Sequence, residues 1–129
     1  MSDTLRSLVA AFESALLRLE AALRQPKNEF IRDSAIQRFE LTFEIMWKCL
    51  KVHAEEAGVR VFSPRDSLRA AFQLGIVPDD ARWMRMLEDR NLMSHTYNEK
   101  TAEEIFSHLA DYRSMMREAL EALRGSAKS

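Results

Sequence analysis

Arg90, Asn91, His95 and Tyr97 place a guanidinium, an amide, an imidazole and a phenol within one short window, residues 90–97. Arginine offers a planar fork of donors that fits a phosphate. Histidine titrates near neutrality and can take or give a proton. Together they suffice for RNA cleavage without a metal, in which a 2′-hydroxyl attacks the adjacent phosphate. A base removes the hydroxyl proton, an acid protonates the leaving oxygen, and a cation holds the added charge. The window supplies one histidine; a two-fold dimer would bring two, enough for both proton-transfer roles. Residues five apart on a continuous helix point about 140° away from each other. Arg90 and His95 therefore converge only if the helix ends near Met93 or Ser94, or if a second subunit contributes one of them. The same residues have a plain structural reading. A cation near a helix C-terminus balances the dipole, and a histidine there caps it. Taken alone, Tyr97 fits a packed core residue better than a stacking platform or a modified hydroxyl.

The other chemistry-bearing residues read more simply. His53 lies on an apolar helical stripe and reads as a satisfied interior histidine. His108, mid-helix and off the main seam, reads as surface. Asp79 and Asp80 lack further ligands at metal spacing and read as a helix cap, so no metal and no cofactor is expected. Arg82, Arg85 and Arg90 give their helix a basic side, diluted by Glu88 and Asp89.

The elements that must hold the window are helical. Leu5, Leu8, Phe12, Leu16, Leu19 and Leu23 alternate three- and four-residue steps, which predicts a first helix over residues 4–24, capped by Asp3 or Thr4 and ended near Pro26. A long second helix is expected over residues 28–57, stopped by Gly58. It carries one stripe of Ile36, Phe39, Phe43, Met46 and Leu50, and a second of Leu41, Ile45, Trp47 and Val52. A helix apolar on two sides sits centrally in a bundle or at a subunit interface; with Trp47 and Trp83, that surplus points to a homodimer. Glu44 and Lys48 stand in the favourable order for a pair on one helix. Ser63-Pro64-Arg65-Asp66 is a helix-start signature for a short third helix that buries Leu68, Ala71, Phe72 and Leu74 and ends at Gly75. A fourth helix opens at Pro78-Asp79-Asp80, turns Trp83, Met86 and Leu87 inward, and runs into the window. Capping boxes at Thr96/Glu99 and Thr101/Glu104 compete to start the last helix. Its seam is Ile105, Leu109, Tyr112, Met116, Ala119 and Leu123, and residues 124–129 are expected to fray. The expected fold is all-α, an antiparallel up-and-down bundle of four to five helices, three long and two short, forming a single domain over residues 1–129.

Composition narrows the function. Three glycines and three prolines in 129 residues favour helix and leave few turns for a sheet. A net charge of -1 excludes a basic nucleic-acid coat, so any RNA contact must be local. The one cysteine, Cys49, has no intrachain partner, which fits a reducing, cytoplasmic setting. No secretory leader pattern opens the chain, and no apolar run approaches membrane-spanning length.

The pattern Arg90-x4-His95-x-Tyr97 resembles the signature of the HEPN superfamily, in the form found in toxins paired with minimal nucleotidyltransferases. More closely, the chain resembles the nucleotidyltransferase substrate-binding protein family within it. That resemblance rests on the run from Ile36 through Phe39, Phe43 and Glu44 to Trp47-Lys48, then Ser63-Pro64-Arg65, Trp83 with Met86, and the run from Leu87 through Arg90-Asn91 to Tyr97. It implies a dimeric HEPN-like bundle whose two Arg-His pairs share a cleft, and a minimal nucleotidyltransferase as partner. It further implies a metal-independent endoribonuclease in which Arg90 binds the scissile phosphate, His95 is the acid-base group and Asn91 supports them. The partner would silence it by transferring AMP to Tyr97. The rival implication is a non-catalytic subunit whose Arg90 and His95 hold nucleotide or polynucleotide for the partner enzyme. A third reading is a helical adaptor whose motif is only a cap. Nothing here resembles the nucleotidyltransferase's own site, so the chain is not itself that enzyme.

Overall fold

The computed structural model describes residues 1–126. Helix α1 spans Asp3–Leu23, α2 Glu29–Glu56, α3 Pro64–Gln73, α4 Arg82–Asn91 and α5 Glu99–Ser126, with a 3-10 turn, Met93–His95, between α4 and α5. No strand occurs among the described residues. This is the all-α bundle expected from the sequence. Helix α2 is its spine: α1, α3 and α5 all pack on it, and α1 also packs on α5.

Local chemistry sets each boundary. Ser2 begins α1, its Oγ accepting the Leu5 N–H at 3.1 Å, so the cap lies ahead of the Asp3 or Thr4 expected. Asn28 begins α2 by accepting from Ile31 N–H at 2.8 Å. Both α2 and α3 end in the same way. Gly58 and Gly75 sit at φ +87° and +77°, which costs only glycine nothing, and the following N–H groups fold back on the helix. Val59 N–H reaches Ala54 O at 2.9 Å and Ile76 N–H reaches Ala71 O at 2.8 Å, satisfying carbonyls the last turns leave open.

The first stripe of α2 is core: Phe39, Phe43 and Met46 are fully buried beside Phe12, Leu16 and Tyr112. Burying a side chain of this size contributes about 1.5–3 kcal/mol each, so this stripe fixes α2's rotation. The second stripe is not core. Leu41 is 49 % exposed, and Ile45, Trp47 and Val52 are half-buried at the core's edge. Phe72, expected inside, is also largely exposed, because the packed face of α3 runs through Ser67, Leu68 and Ala71 and Phe72 lies about 100° beyond it.

Helix α4 starts at Arg82, later than the Pro78-Asp79-Asp80 opening expected. Asp80 still organises the turn, accepting from Arg82 N–H at 2.9 Å through its side chain and from Trp83 N–H at 3.1 Å through its carbonyl. At α5 neither expected threonine is the cap. Asn98 Oδ1 accepts from Lys100 N–H at 3.0 Å and Thr101 N–H at 3.2 Å, while Thr96 turns back to donate to Met93 O. The predicted α5 seam is buried throughout. Of the end expected to fray, residues 124–126 are helical and 127–129 lie outside the described residues. Arg32, buried in α2, donates to Glu99 at 2.6 Å and Glu103 at 3.0 Å, which ties the start of α5 to α2 and fixes where the window's far end returns. No helix of the described residues is long and apolar enough to cross a membrane.

Candidate active site at the α4–α5 break

The break falls inside the window. Helix α4 stops at Asn91 and the 3-10 turn carries His95 off its axis. The change of direction comes from the chain itself: Leu92 N–H bonds Asp89 O, His95 N–H bonds Leu92 O at 2.8 Å, and Asn98 N–H bonds His95 O. His95 and Tyr97 are both exposed, their ring centroids 6.3 Å apart, and Tyr97 is 83 % exposed. Tyr97 is therefore not the core residue that its type alone suggested. It borders a cleft of about 420 Å³ with Asp33, Gln37 and Glu40 of α2 and Met93 and Thr96 of the turn.

Arg90 lies in the last turn of α4 with its side chain 27 % exposed. Its Nη2 donates to Glu44 Oε1 of α2, its Nη1 reaches Asn91 Oδ1 at 3.2 Å, and its guanidinium lies 5.8 Å from the Phe43 ring centroid. No hydrogen bond joins Arg90 to His95 among the described residues. Within one chain the structure thus brings His95 to Tyr97 and Arg90 to Asn91, and does not join the two pairs.

Glu44 is the residue that sequence reasoning missed. It was expected to pair with Lys48, but its carboxylate instead accepts from Arg90 and, at 2.5 Å, from Trp47 Nε1. Burial pushes the Glu44 carboxyl up, but the bonds from Trp47 and Arg90 and the charges of Arg90 and Lys48 outweigh it and hold the group below its ordinary value. It therefore stays a counter-charge to Arg90 at neutral pH.

The expected basic side of α4 is split between two faces. Arg82, Arg85 and Asp89 share one stripe, which faces α5; Trp83, Met86 and Arg90 share another, from which Trp83 and Met86 enter the core and Arg90 reaches α2. Arg82 is bound by Asp80, and Arg85 by Asp111 and Tyr112. Asp89 is 6 % exposed and takes bonds from Tyr112 Oη at 2.5 Å and His108 Nδ1 at 2.7 Å. His108 is consequently not the surface residue expected. His53 is half-buried at a small cleft near the α1 N-terminus, far from this chemistry in the chain; burial lowers its pKa while Glu56 acts to raise it. Among the described residues no three of His, Cys, Asp or Glu converge as a metal would require.

Comparison with known proteins identifies the family. Residues 8–125 match the family model described as "Nucleotidyltransferase substrate binding protein like". A curated relative from Haemophilus influenzae, "Probable ribonuclease HepT", is 28 % identical over 95 residues, covering 70 % of this chain and 65 % of that protein's length. Among solved structures, a Thermus thermophilus protein is 41 % identical with a TM-score of 0.82, covering 88 % of this chain and 98 % of that one. A Haemophilus influenzae structure reported to reveal the fold of a substrate binding domain of a nucleotidyltransferase is 23 % identical, TM-score 0.69, covering 95 % and 98 %. A tri-AMPylated Shewanella oneidensis HEPN toxin, solved in complex with an MNT antitoxin, is 14 % identical, TM-score 0.78, covering 97 % and 99 %. These last two share the fold. With residues 8–125 of the chain matched by the family model, the chain belongs to the nucleotidyltransferase substrate-binding protein family and carries the HEPN helical fold.

Proposed function

We propose that this chain is the HEPN partner of a minimal nucleotidyltransferase and a metal-independent endoribonuclease, with Arg90 and His95 as its catalytic pair. The observation that carries the reading is the break after Asn91, which sets His95 and Tyr97 in solvent while leaving Arg90 on the rigid end of α4. Arg90 binds the scissile phosphate and stabilises the charge that builds on its oxygens. One His95 takes the proton of the 2′-hydroxyl as its oxygen bonds to phosphorus. The P–O5′ bond breaks, and the His95 of a second copy gives a proton to the departing oxygen. The products are a 2′,3′-cyclic phosphate and a 5′-hydroxyl. Asn91, bonded to Arg90, supports the guanidinium.

A second copy is part of this reading, because one chain leaves its Arg90 and His95 unjoined. The side of α2 that carries Glu44, the Arg90 partner, also carries exposed Leu41, and both line one cleft. Docking of two copies there covers the leucine and brings two windows together. Tyr97 is the regulatory group: its exposed hydroxyl attacks the α-phosphorus of ATP held by the partner, pyrophosphate leaves, and AMP remains on the ring. The HEPN toxin of like fold is itself tri-AMPylated and bound to an MNT antitoxin, which supports this reading.

The Arg90–Glu44 pair favours one alternative, a non-catalytic subunit that holds nucleotide for the partner enzyme, since an arginine already neutralised binds an anion more weakly. RNA cleavage by purified protein in EDTA decides between them. Cyclic-phosphate ends, lost in His95→Ala and in Arg90→Ala, are expected. Folded, dimeric protein unmodified at Tyr97 that leaves RNA intact establishes the binding subunit instead. Co-expression with the partner should add one AMP mass to the wild type and none to Tyr97→Phe.

A further inference from the structure

We propose that Asp89 is a positioning residue that sets where Arg90 points. The two are neighbours on α4, so their side chains leave the helix about 100° apart. Asp89 faces α5, where it is 6 % exposed and bonded to Tyr112 Oη at 2.5 Å and His108 Nδ1 at 2.7 Å. A buried carboxylate with two such donors is costly to pull out, because each lost bond leaves an unpaired charge. Tyr112 cannot yield either: its ring is fully buried and stacked on Phe39 at 5.4 Å, and Arg85 Nε donates to its oxygen at 2.9 Å. The last turn of α4 is thereby locked in rotation, two residues before the helix ends at Asn91. The lock matters because Arg90, the next residue, reaches Glu44 of α2 from this phase of the helix.

The kinetic part of this proposal rests on the ribonuclease reading of Arg90; the structural part does not. Trp47 reports on the latter directly, because its indole N–H donates to the same Glu44 carboxylate that holds Arg90. The other indole, of Trp83, is buried with no hydrogen-bond partner among the described residues, so the two N–H resonances separate in a 15N–1H spectrum. Tyr112→Phe removes one donor and keeps the stacked ring. His108→Leu removes the other, and His108→Asn restores a donor at the Nδ1 position. Val9→Ala, in the α1 core far along the chain from the window, serves as a destabilised control.

The expected result is that Tyr112→Phe and His108→Leu shift the Trp47 indole resonance and lower kcat for RNA about tenfold, with KM changed far less. His108→Asn should return both toward wild type, and Val9→Ala should move neither. If Tyr112→Phe does not fold, His108→Leu with its rescue carries the same test from a more exposed position. An unmoved Trp47 resonance in folded Tyr112→Phe and His108→Leu overturns the proposal, as does an equal shift in Val9→Ala. If wild type does not cut RNA, the ribonuclease reading fails, and the Trp47 resonance still decides the positioning role.

Discussion

Replacing Glu44 by glutamine tests whether α2 and α4 are coupled electrostatically at the candidate site. The substitution keeps the side-chain shape and an oxygen for the Trp47 indole, and replaces the carboxylate oxygen facing Arg90 with an amide NH2, so both the charge and the acceptor toward Arg90 are lost. Two unit charges in contact attract by about 4 kcal/mol at the effective dielectric near a protein surface, and fully exposed pairs retain about 0.2–1 kcal/mol after screening and entropy. The Arg90 and Glu44 side chains are 27 % and 34 % exposed, between those limits. A coupling of about 1–2 kcal/mol is therefore expected from a double-mutant cycle of Glu44→Gln and Arg90→Met, read by urea unfolding at pH 7. The pH dependence has a fixed sign. Glu44 titrates below its ordinary value in the fold, so the coupling is complete above the ordinary carboxylate range and disappears as pH falls through that depressed value. A coupling below about 0.3 kcal/mol at pH 7 would refute the argument, since Arg90 would then be oriented by something other than α2.

Three further outcomes follow from the same reading. Cys49 is fully buried and burial pushes its thiol up to about 12, so a thiol reagent at about pH 8 should label it only at the rate of unfolding, and fast labelling of native protein would contradict the packing of α2. Asn98→Ala removes the α5 cap and should lower stability by about 1 kcal/mol, measured by urea unfolding, with Asn98→Asp recovering most of it. Arg32→Gln should raise amide exchange in the first turn of α5 and in residues 92–98, because Arg32 is the buried tie between that turn and α2; exchange confined to α2 would show the tie to be idle.

The helices were legible because they are built on local rules. Three- and four-residue spacing gave the buried stripes of α1 and α5, and Ser63-Pro64 and Gly75 bounded α3 where expected. Starts were less legible where several polar residues could cap. Ser2 precedes Asp3 and Thr4, and Asn98 lies between Thr96 and Thr101; which one caps depends on how the preceding turn packs, not on residue type. The second apolar stripe of α2 was visible in the sequence, but periodicity alone could not separate a second core face from a surface waiting for a partner. Leu41 is half exposed beside Glu44, while Ile45, Trp47 and Val52 pack at the edge of the core, so the stripe is neither a buried second face nor a wholly open one.

The candidate site was legible as a list of groups and not as a geometry, for a physical reason. Helix periodicity fixes the angle between Asp89 and Arg90 but says nothing of which neighbour each will face. The answers came from contacts 46 and 23 residues away in the chain, Arg90 to Glu44 and Asp89 to Tyr112. One signal was present: Arg82, Arg85 and Asp89 recur at three- and four-residue steps, so the acid had to share a face with two of the three arginines and could not dilute the face of the third. Followed through, that spacing already separates Arg90 from the other two cations and leaves it alone on its side of α4. An anion drawn to Arg90 would therefore meet it apart from Arg82 and Arg85, and a chain with a net charge of -1 supplies positive charge only locally.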